Sequence, residues 1–246
     1  MNLKKRVPEQ EQEMANEKEV TKYFLAHKRL KNMWWDLYDI ISRNIIKYIS
    51  VKKGKVLDVG CGYGGLMKGL SYHRKNLSFV GIDLSKAMIN VGKKYISNKK
   101  IKFSLMSADN IKFEDESFDL VICKDTFHHL NNPVKVLKEM YRVLKKGGQI
   151  YAIDLRRNAP EATIYQIVQM ASELNIENAI LYIDSIEASY TILEMRKMLK
   201  RVGIKKYKIF NSSPGRDFIK NYKINPKYYR SASNYLKDKW ILVVRK

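Results

Sequence analysis

Cysteine is almost missing from this chain: 246 residues include only Cys61 and Cys123. Two thiols without histidines at ligand spacing make no structural zinc site. Both fall in segments read below as buried strand ends or turns, so they read as reduced core thiols. No apolar run approaches the length that crosses a bilayer. Met1 to Glu19 is charged and holds no apolar stretch of the signal-peptide kind, which makes the cytoplasm the expected location. No internal repeat or low-complexity tract is found. Acidic residues are scarce as well, 25 against 47 Lys and Arg, for a formal charge of +22.

What is present suits one α/β domain with a modest cap, since 45% of the residues are hydrophobic. The positive charge is uneven. Residues 205–246 carry twelve Lys or Arg against Asp217 and Asp238, and residues 1–54 carry twelve against seven acids. A basic tail invites an anionic partner, although a Lys-, Ile-, Asn- and Tyr-rich composition also arises from AT-rich coding.

Residues 1–16 are polar and read as frayed or loosely docked. Trp34, Leu37, Tyr38, Ile41, Ile45 and Tyr48 recur at spacings of three and four, which predicts a helix over 33–50. The period then changes. KVLDVG (55–60), SFVGID (78–83), 101–105, FDLVIC (118–123) and 149–154 are short β-rich runs, each followed by a helical stripe or a break. Ser85 caps one helix, Asn132-Pro133 opens another that Gly147 is expected to close, and Thr191-x-x-Glu194 is a capping box. Five alternations of strand and helix imply right-handed crossovers and a parallel sheet. About 50 residues then separate Asp154 from the next strand candidate, 205–210, too many for an ordinary connection of ~2–6 residues around a helix. Residues 155–190 therefore read as a helical cap inserted above the sheet. KWILVV (239–244) is the last strand.

Gly60-Cys61-Gly62-Tyr63-Gly64-Gly65 follows a strand and opens a helix, where glycines let the backbone turn and approach a ligand. The spacing also fits the G-x-G-x-x-G of a nicotinamide site, with Asp83 about 20 residues on. Three acids weigh against that. Asp58, two residues before the first glycine, suits an ammonium and is a poor neighbour for a pyrophosphate. Asp83 ends the second strand, and Asp109, beside Asn110, follows the third. All three fall at the carboxyl ends of strands, where open α/β sheets bind ligands. A short-chain dehydrogenase is the runner-up, since Tyr141-x-x-x-Lys145 matches its catalytic pair; Tyr141, however, lies on the apolar stripe of its helix.

VLDVGCGYGG, VGIDLS, SADNIKFEDESFDLVICKDTFHHL and VLKEMYRVLKKGGQIYAID resemble the successive motifs of class I S-adenosylmethionine-dependent methyltransferases, in the branch of the ubiquinone and menaquinone biosynthesis enzymes. The resemblance covers 55–154 strongly and 191–210 weakly. It implies a doubly wound, Rossmann-like, mostly parallel sheet of seven strands with the last antiparallel, and S-adenosylmethionine as cofactor. By position it implies Asp58, Gly60, Gly62 and Gly64 around the methionine part, Asp83 on the ribose, Asp109 and Asn110 at the adenine, and Leu84 among the cofactor-binding residues. Lys124 and Asp125 would stand near the methyl. The N-terminal helical segment, 1–54, would close over the cofactor with Tyr23, leaving 55–246 as the methyltransferase domain.

Methyl transfer is an in-line displacement that asks the protein mainly to align reactants and exclude water. A base is needed only where the acceptor must lose a proton. His128 and His129, directly after strand four, are the candidates; the alternative is that they pack and shape the pocket. Arg156 and Arg157, past strand five, could hold a carboxylate or phosphate of the substrate, or stand as a solvated rim pair. No Asn/Asp-Pro-Pro-Tyr/Phe follows strand four, and Cys123 is in no Pro-Cys turn, which disfavours exocyclic-amine and pyrimidine-C5 methylation of nucleic acids. No His, Asp and Glu cluster reads as a metal site. The leading expectation is a small-molecule acceptor held under the 155–190 cap. The second is RNA, held by the tail loop 212–238, where Phe218, Tyr222, Tyr228, Tyr229 and Tyr235 interleave with Arg216, Lys220, Lys223, Lys227 and Arg230. A third is a cofactor-binding subunit that activates a partner without turnover.

Overall fold

The computed structural model describes residues 5–8, 18, 20–21, 33–96, 98–174, 176–213 and 236–246. Helix α1 (Met33–Tyr48) leads into β1 (Gly54–Val59), α2 (Gly65–His73), β2 (Leu77–Asp83), α3 (Lys86–Tyr95), β3 (Ile101–Leu105) and β4 (Phe118–Lys124). A 3₁₀ turn (Phe127–His129), α4 (Pro133–Val143), β5 (Leu144–Leu155), α5 (Glu161–Leu174), α6 (Ile176–Ala188), α7 (Ile192–Val202), β6 (Tyr207–Asn211) and β7 (Lys239–Arg245) complete the described elements. The strands form one seven-stranded sheet in the order β3-β2-β1-β4-β5-β7-β6. β1 to β5 are mutually parallel, and β7 runs antiparallel between β5 and β6. The order reverses at β1, so the carboxyl ends of β1 and β4 flank the crevice where such sheets take ligands.

Both faces of the sheet are buried, as a parallel sheet requires. In β4, Leu120 and Ile122 face a core completed by Ile41 and Ile45 of α1 and by Met67 and Leu70 of α2. Val121 and Cys123 face the other core, with Leu137 and Met140 of α4 and Met195 and Leu199 of α7. The period-2 alternation of a strand thus feeds two helical layers. Cys61 and Cys123 are both buried free thiols.

One local expectation changes. Helix α4 ends at Val143 and the chain enters β5 at once, so Gly147 closes no helix; it lies within β5 at φ 77° and donates its N–H to the Lys246 carbonyl. The α4 carbonyls are capped by Lys246, whose Nζ donates to Tyr141 O and Leu144 O at 2.9 and 2.8 Å. Tyr141 packs against the core, as its place on an apolar stripe implied, and forms no catalytic pair with Lys145. Lys145 Nζ binds Asp119 at 3.0 Å, and Asp119 also accepts the Lys55 N–H, at the amino ends of the strands and opposite the ligand edge. Without that pair the dehydrogenase reading loses its base.

The 155–190 segment contains α5 and α6, which pack on each other. Its root is fastened by Arg157, whose side chain is 8% exposed. Arg157 donates to Ser189 O and to Glu194 Oε1, the second at 2.6 Å, and Glu194 closes the Thr191 capping box. Arg157→Ala should lower stability by ~2–3 kcal/mol, since a buried carbonyl and a carboxylate lose a charged donor, and so lower the melting temperature by about 5–10 °C. Calorimetric melting checks this; an unchanged midpoint would show the clamp to be idle.

Candidate functional site

The glycine loop turns because its glycines take conformations that side chains resist. At Gly60 (φ 70°) an added Cβ would lie 2.4 Å from the Thr126 side chain, so β1 and the chain leaving β4 touch here with no room to spare. At Gly62 (φ 52°) an added Cβ would meet only Met88 Sδ, at 3.9 Å; this side of the loop is open. Gly64 (φ 85°) abuts Phe103 of β3 and starts α2.

Asp83 clasps that loop. Its Oδ2 accepts the Gly62 N–H at 2.8 Å and its Oδ1 accepts the Ser85 N–H at 2.9 Å, joining the glycine loop to the start of α3. Each carboxylate oxygen keeps a lone pair. Beside it, Leu84 is 72% exposed at the ligand edge, an apolar surface for a flat ring. The chain after β3 hangs on the same clasp, because Met106 N–H donates to Asp83 O at 3.0 Å. Asp109 lies half-buried in the turn that follows. Ser107 Oγ donates to it at 2.5 Å and Lys135 stands 3.7 Å away, which together hold its carboxyl below the ordinary range. Asn110 is turned aside: its Oδ1 accepts from Lys112 Nζ at 2.9 Å on the exposed flank, so its amide is not gathered with the others.

Asp58 lies at the opposite end of burial. It is 2% exposed, and its Oδ2 has no hydrogen-bond partner. Burial pushes its carboxyl up to about 8; Lys124 opposes that rise, and Asp83 adds to it. Burial disfavours the charged form of this acid, and a cation placed beside its unpartnered oxygen would favour it.

Past β4 the chain is strained and heavily bonded. Asp125 has φ 48°, uncommon for a side-chain-bearing residue. Its Oδ2 accepts from Lys124 Nζ at 2.5 Å, and Lys239 Nζ stands 2.9 Å from its Oδ1. The next three residues converge on Asp154, a 1% exposed carboxylate at the end of β5. Its Oδ2 accepts Thr126 N–H at 2.8 Å and Phe127 N–H at 2.5 Å; its Oδ1 pairs with His128 Nδ1 at 2.5 Å and accepts Leu155 N–H at 2.7 Å. The two candidate histidines therefore occupy different places. His128 is 4% exposed and oriented by Asp154, whereas His129 is exposed, its ring centroid 4.0 Å from that of His128. An ionised carboxylate only accepts, so Nδ1 is the ring nitrogen that donates to Asp154, and Nε2 is the nitrogen turned away from that bond.

The arginines are not where sequence placed them. Arg157 is spent on the cap root, as above. Arg156 is 8% exposed and folds back on backbone, donating to Asn158 O and Lys237 O at 3.1 Å each. Burial lowers its guanidinium from the ordinary value. Neither is open at the rim: Arg156 is spent on the Asn158 and Lys237 carbonyls, and Arg157 on the Ser189 carbonyl and Glu194. Tyr23 lies outside the described residues, as does most of the basic aromatic tail. Three charged residues near these groups were passed over in the sequence: Asp154, Lys239 and Arg6. Asp154 carried a usable signal, since it ends a strand at the ligand edge as Asp58 and Asp83 do. Arg6 carried none. It lies in a stretch read as loose, yet its Nη2 donates to His128 O at 3.0 Å, and its guanidinium lies 4.4 Å from the Tyr190 ring centroid. Among the described residues no helix is long and apolar enough to cross a membrane.

Comparison with known proteins gives a consistent frame. A family described as a methyltransferase domain matches residues 57–152. Ubiquinone biosynthesis O-methyltransferase of Dechloromonas aromatica (strain RCB) is 31% identical over 168 residues, covering 63% of this chain and 69% of that protein. Among solved structures, an S-adenosyl-L-methionine-dependent methyltransferase from Methanococcus maripaludis superposes with a TM-score of 0.65 at 19% identity, covering 98% of this chain and 97% of that one. The plantazolicin methyltransferase BpumL, solved with a triazolic desmethylPZN analog and SAH, gives 0.66 at 20% identity, covering 93% and 90%. These last two likenesses concern the fold.

Proposed function

This chain belongs to the class I S-adenosylmethionine-dependent methyltransferases, and from that premise we propose that it methylates a hydroxyl of a small-molecule acceptor, with His128 as the base. The observation that carries the reading is the convergence on one sheet edge of the glycine loop, the Asp83 clasp, the unpartnered buried Asp58 and the Asp154–His128 pair. The residues fit S-adenosylmethionine: Asp58 Oδ2 lacks a donor, which the ammonium would supply, and the open side of Gly62 leaves room for the ligand. Asp83 and Leu84 would hold the ribose and Asp109 the adenine amine, with Lys124 and Asp125 beside the reacting end. The bound cofactor supplies a methyl group activated by its sulfonium.

The chain's own residues do the rest. Asp154 fixes the tautomer of His128, so that Nε2 takes the acceptor's hydroxyl proton as the acceptor oxygen attacks. The oxygen assignment draws support from the O-methyltransferase named above. In this reading the α5–α6 hairpin would cover the acceptor side and exclude water.

Calorimetric titration with S-adenosylmethionine and S-adenosylhomocysteine tests the cofactor site. Micromolar affinity is expected for the wild type. Asp83→Ala should weaken it at least tenfold by releasing the Gly62 and Ser85 amides, a loss of ~1.5–3 kcal/mol. Absence of binding by the folded wild type would refute the proposal.

A further inference from the structure

Because β7 is antiparallel, its first residue lies at the same edge as the last residues of β4 and β5; Lys239 pairs with Leu155. A lysine here would be ordinary if solvated. Lys239 is 2% exposed instead, with its Nζ 2.9 Å from Asp125 Oδ1 and 3.9 Å from Asp238 Oδ1. Asp238 is itself buried, and its Oδ2 accepts the Tyr182 hydroxyl of α6 at 2.8 Å. A row of ionisable groups thus runs from the cofactor loop toward α6: Asp58, Lys124, Asp125, Lys239 and Asp238, ending on the neutral Tyr182 hydroxyl. Burying an ammonium is expensive unless its partners are close, and a well-packed apolar residue would usually serve stability as well. A role in setting the local field accounts for a lysine at this position.

We propose that Lys239 is a positioning residue that sets the charge of the methyl-transfer site, offsetting Asp125 and Asp238 so that the site does not over-stabilise a bound sulfonium. The inference rests on the cofactor reading above. Asp125 adjoins Thr126, which packs on Gly60, and its carboxylate pairs with Lys124, the cation that acts on Asp58, so its charge is coupled to the cofactor loop through that lysine. An uncompensated carboxylate pair there would bind the cationic ground state more tightly than a transition state in which that charge is dispersing, and so would slow transfer.

S-adenosylmethionine and S-adenosylhomocysteine differ at the sulfur by one methyl and one positive charge. Their ratio of dissociation constants therefore reads the field at that point, and a purely structural lysine would leave it unmoved. Titrations of the full chain at pH 8 should show Lys239→Met shifting the ratio toward S-adenosylmethionine by about tenfold, the factor that ~1.4 kcal/mol produces. Lys239→Arg should retain the wild-type ratio. Asp238→Asn, which removes a negative charge, should shift it several-fold the other way, and this variant decides the matter should Lys239→Met fail to fold. An unchanged ratio in folded Lys239→Met, or in Asp238→Asn, would overturn the proposal. A wild type that binds neither nucleoside would overturn the cofactor reading itself.

Discussion

Asp154→Ala is expected to lower stability by ~3–5 kcal/mol and to remove turnover. The carboxylate accepts from Thr126, Phe127 and Leu155 N–H and holds His128 Nδ1. Truncation leaves these buried donors unpaired, at ~1–3 kcal/mol each before relaxation. Against a total of about 5–15 kcal/mol, that loss should be plain in urea unfolding. Asp154→Asn separates scaffold from chemistry. The amide keeps the volume and one acceptor, so the fold should survive. Its N–H₂ must face either the two backbone donors or the imidazole, and the preference for an Nδ1–H tautomer is weakened. With an acceptor found by screening small aromatic hydroxyl compounds, kcat should fall by ~10²–10⁴-fold, the usual contribution of a positioned base. Cofactor affinity should stay near the wild-type value. A folded Asp154→Asn protein with wild-type kcat would remove His128 from the chemistry.

The second large effect belongs to Asp58. Its carboxyl, pushed up to about 8 by burial, is mostly protonated in the ligand-free protein at neutral pH. Holding an ammonium requires the ionised form, so binding should release a proton. Affinity for S-adenosylhomocysteine should rise about tenfold per pH unit from pH 6 toward 8, then level off. Titrations in buffers of different ionisation enthalpy would count the proton. Stability of the ligand-free protein runs the other way. The folded carboxyl titrates above its ordinary value of 3.8, so its contribution is complete below that value and is lost as pH rises toward 8. Asp58→Asn should abolish both slopes and weaken binding by about a hundredfold, within the ~1.5–3 kcal/mol of a hydrogen bond to a charged group. A pH-independent affinity in the wild type would show that Asp58 does not receive the ammonium.

Much of the frame was legible in one dimension because it depends on local rules. KVLDVG, SFVGID and FDLVIC are strands because each is a short run rich in β-branched and large apolar residues. Ser85, Asn132 and Thr191 cap helices because each places an oxygen within reach of an N–H three residues on. Gly60, Gly62 and Gly64 all take positive φ, and the acids two before and about twenty after the first glycine are set by the strand–turn–helix geometry itself. Those intervals are short and covalent, so spacing alone carries them.

Tertiary structure decided every feature that joins distant stretches of chain. Arg156 and Arg157 looked free in sequence, where nothing announces that Lys237 O, Ser189 O and Glu194 will come to them. His128 and His129 are adjacent in the chain and look equivalent, but only one meets a carboxylate 26 residues away. Lys239 belongs in sequence to a basic tail. The antiparallel placement of β7 carries it to the ligand edge and buries its charge between Asp125 and Asp238. The physical reason is common to all three: hydrogen bonds and burial depend on which groups the fold brings within about 3 Å. For these side chains that is settled by sheet order and strand direction, which local propensity does not encode.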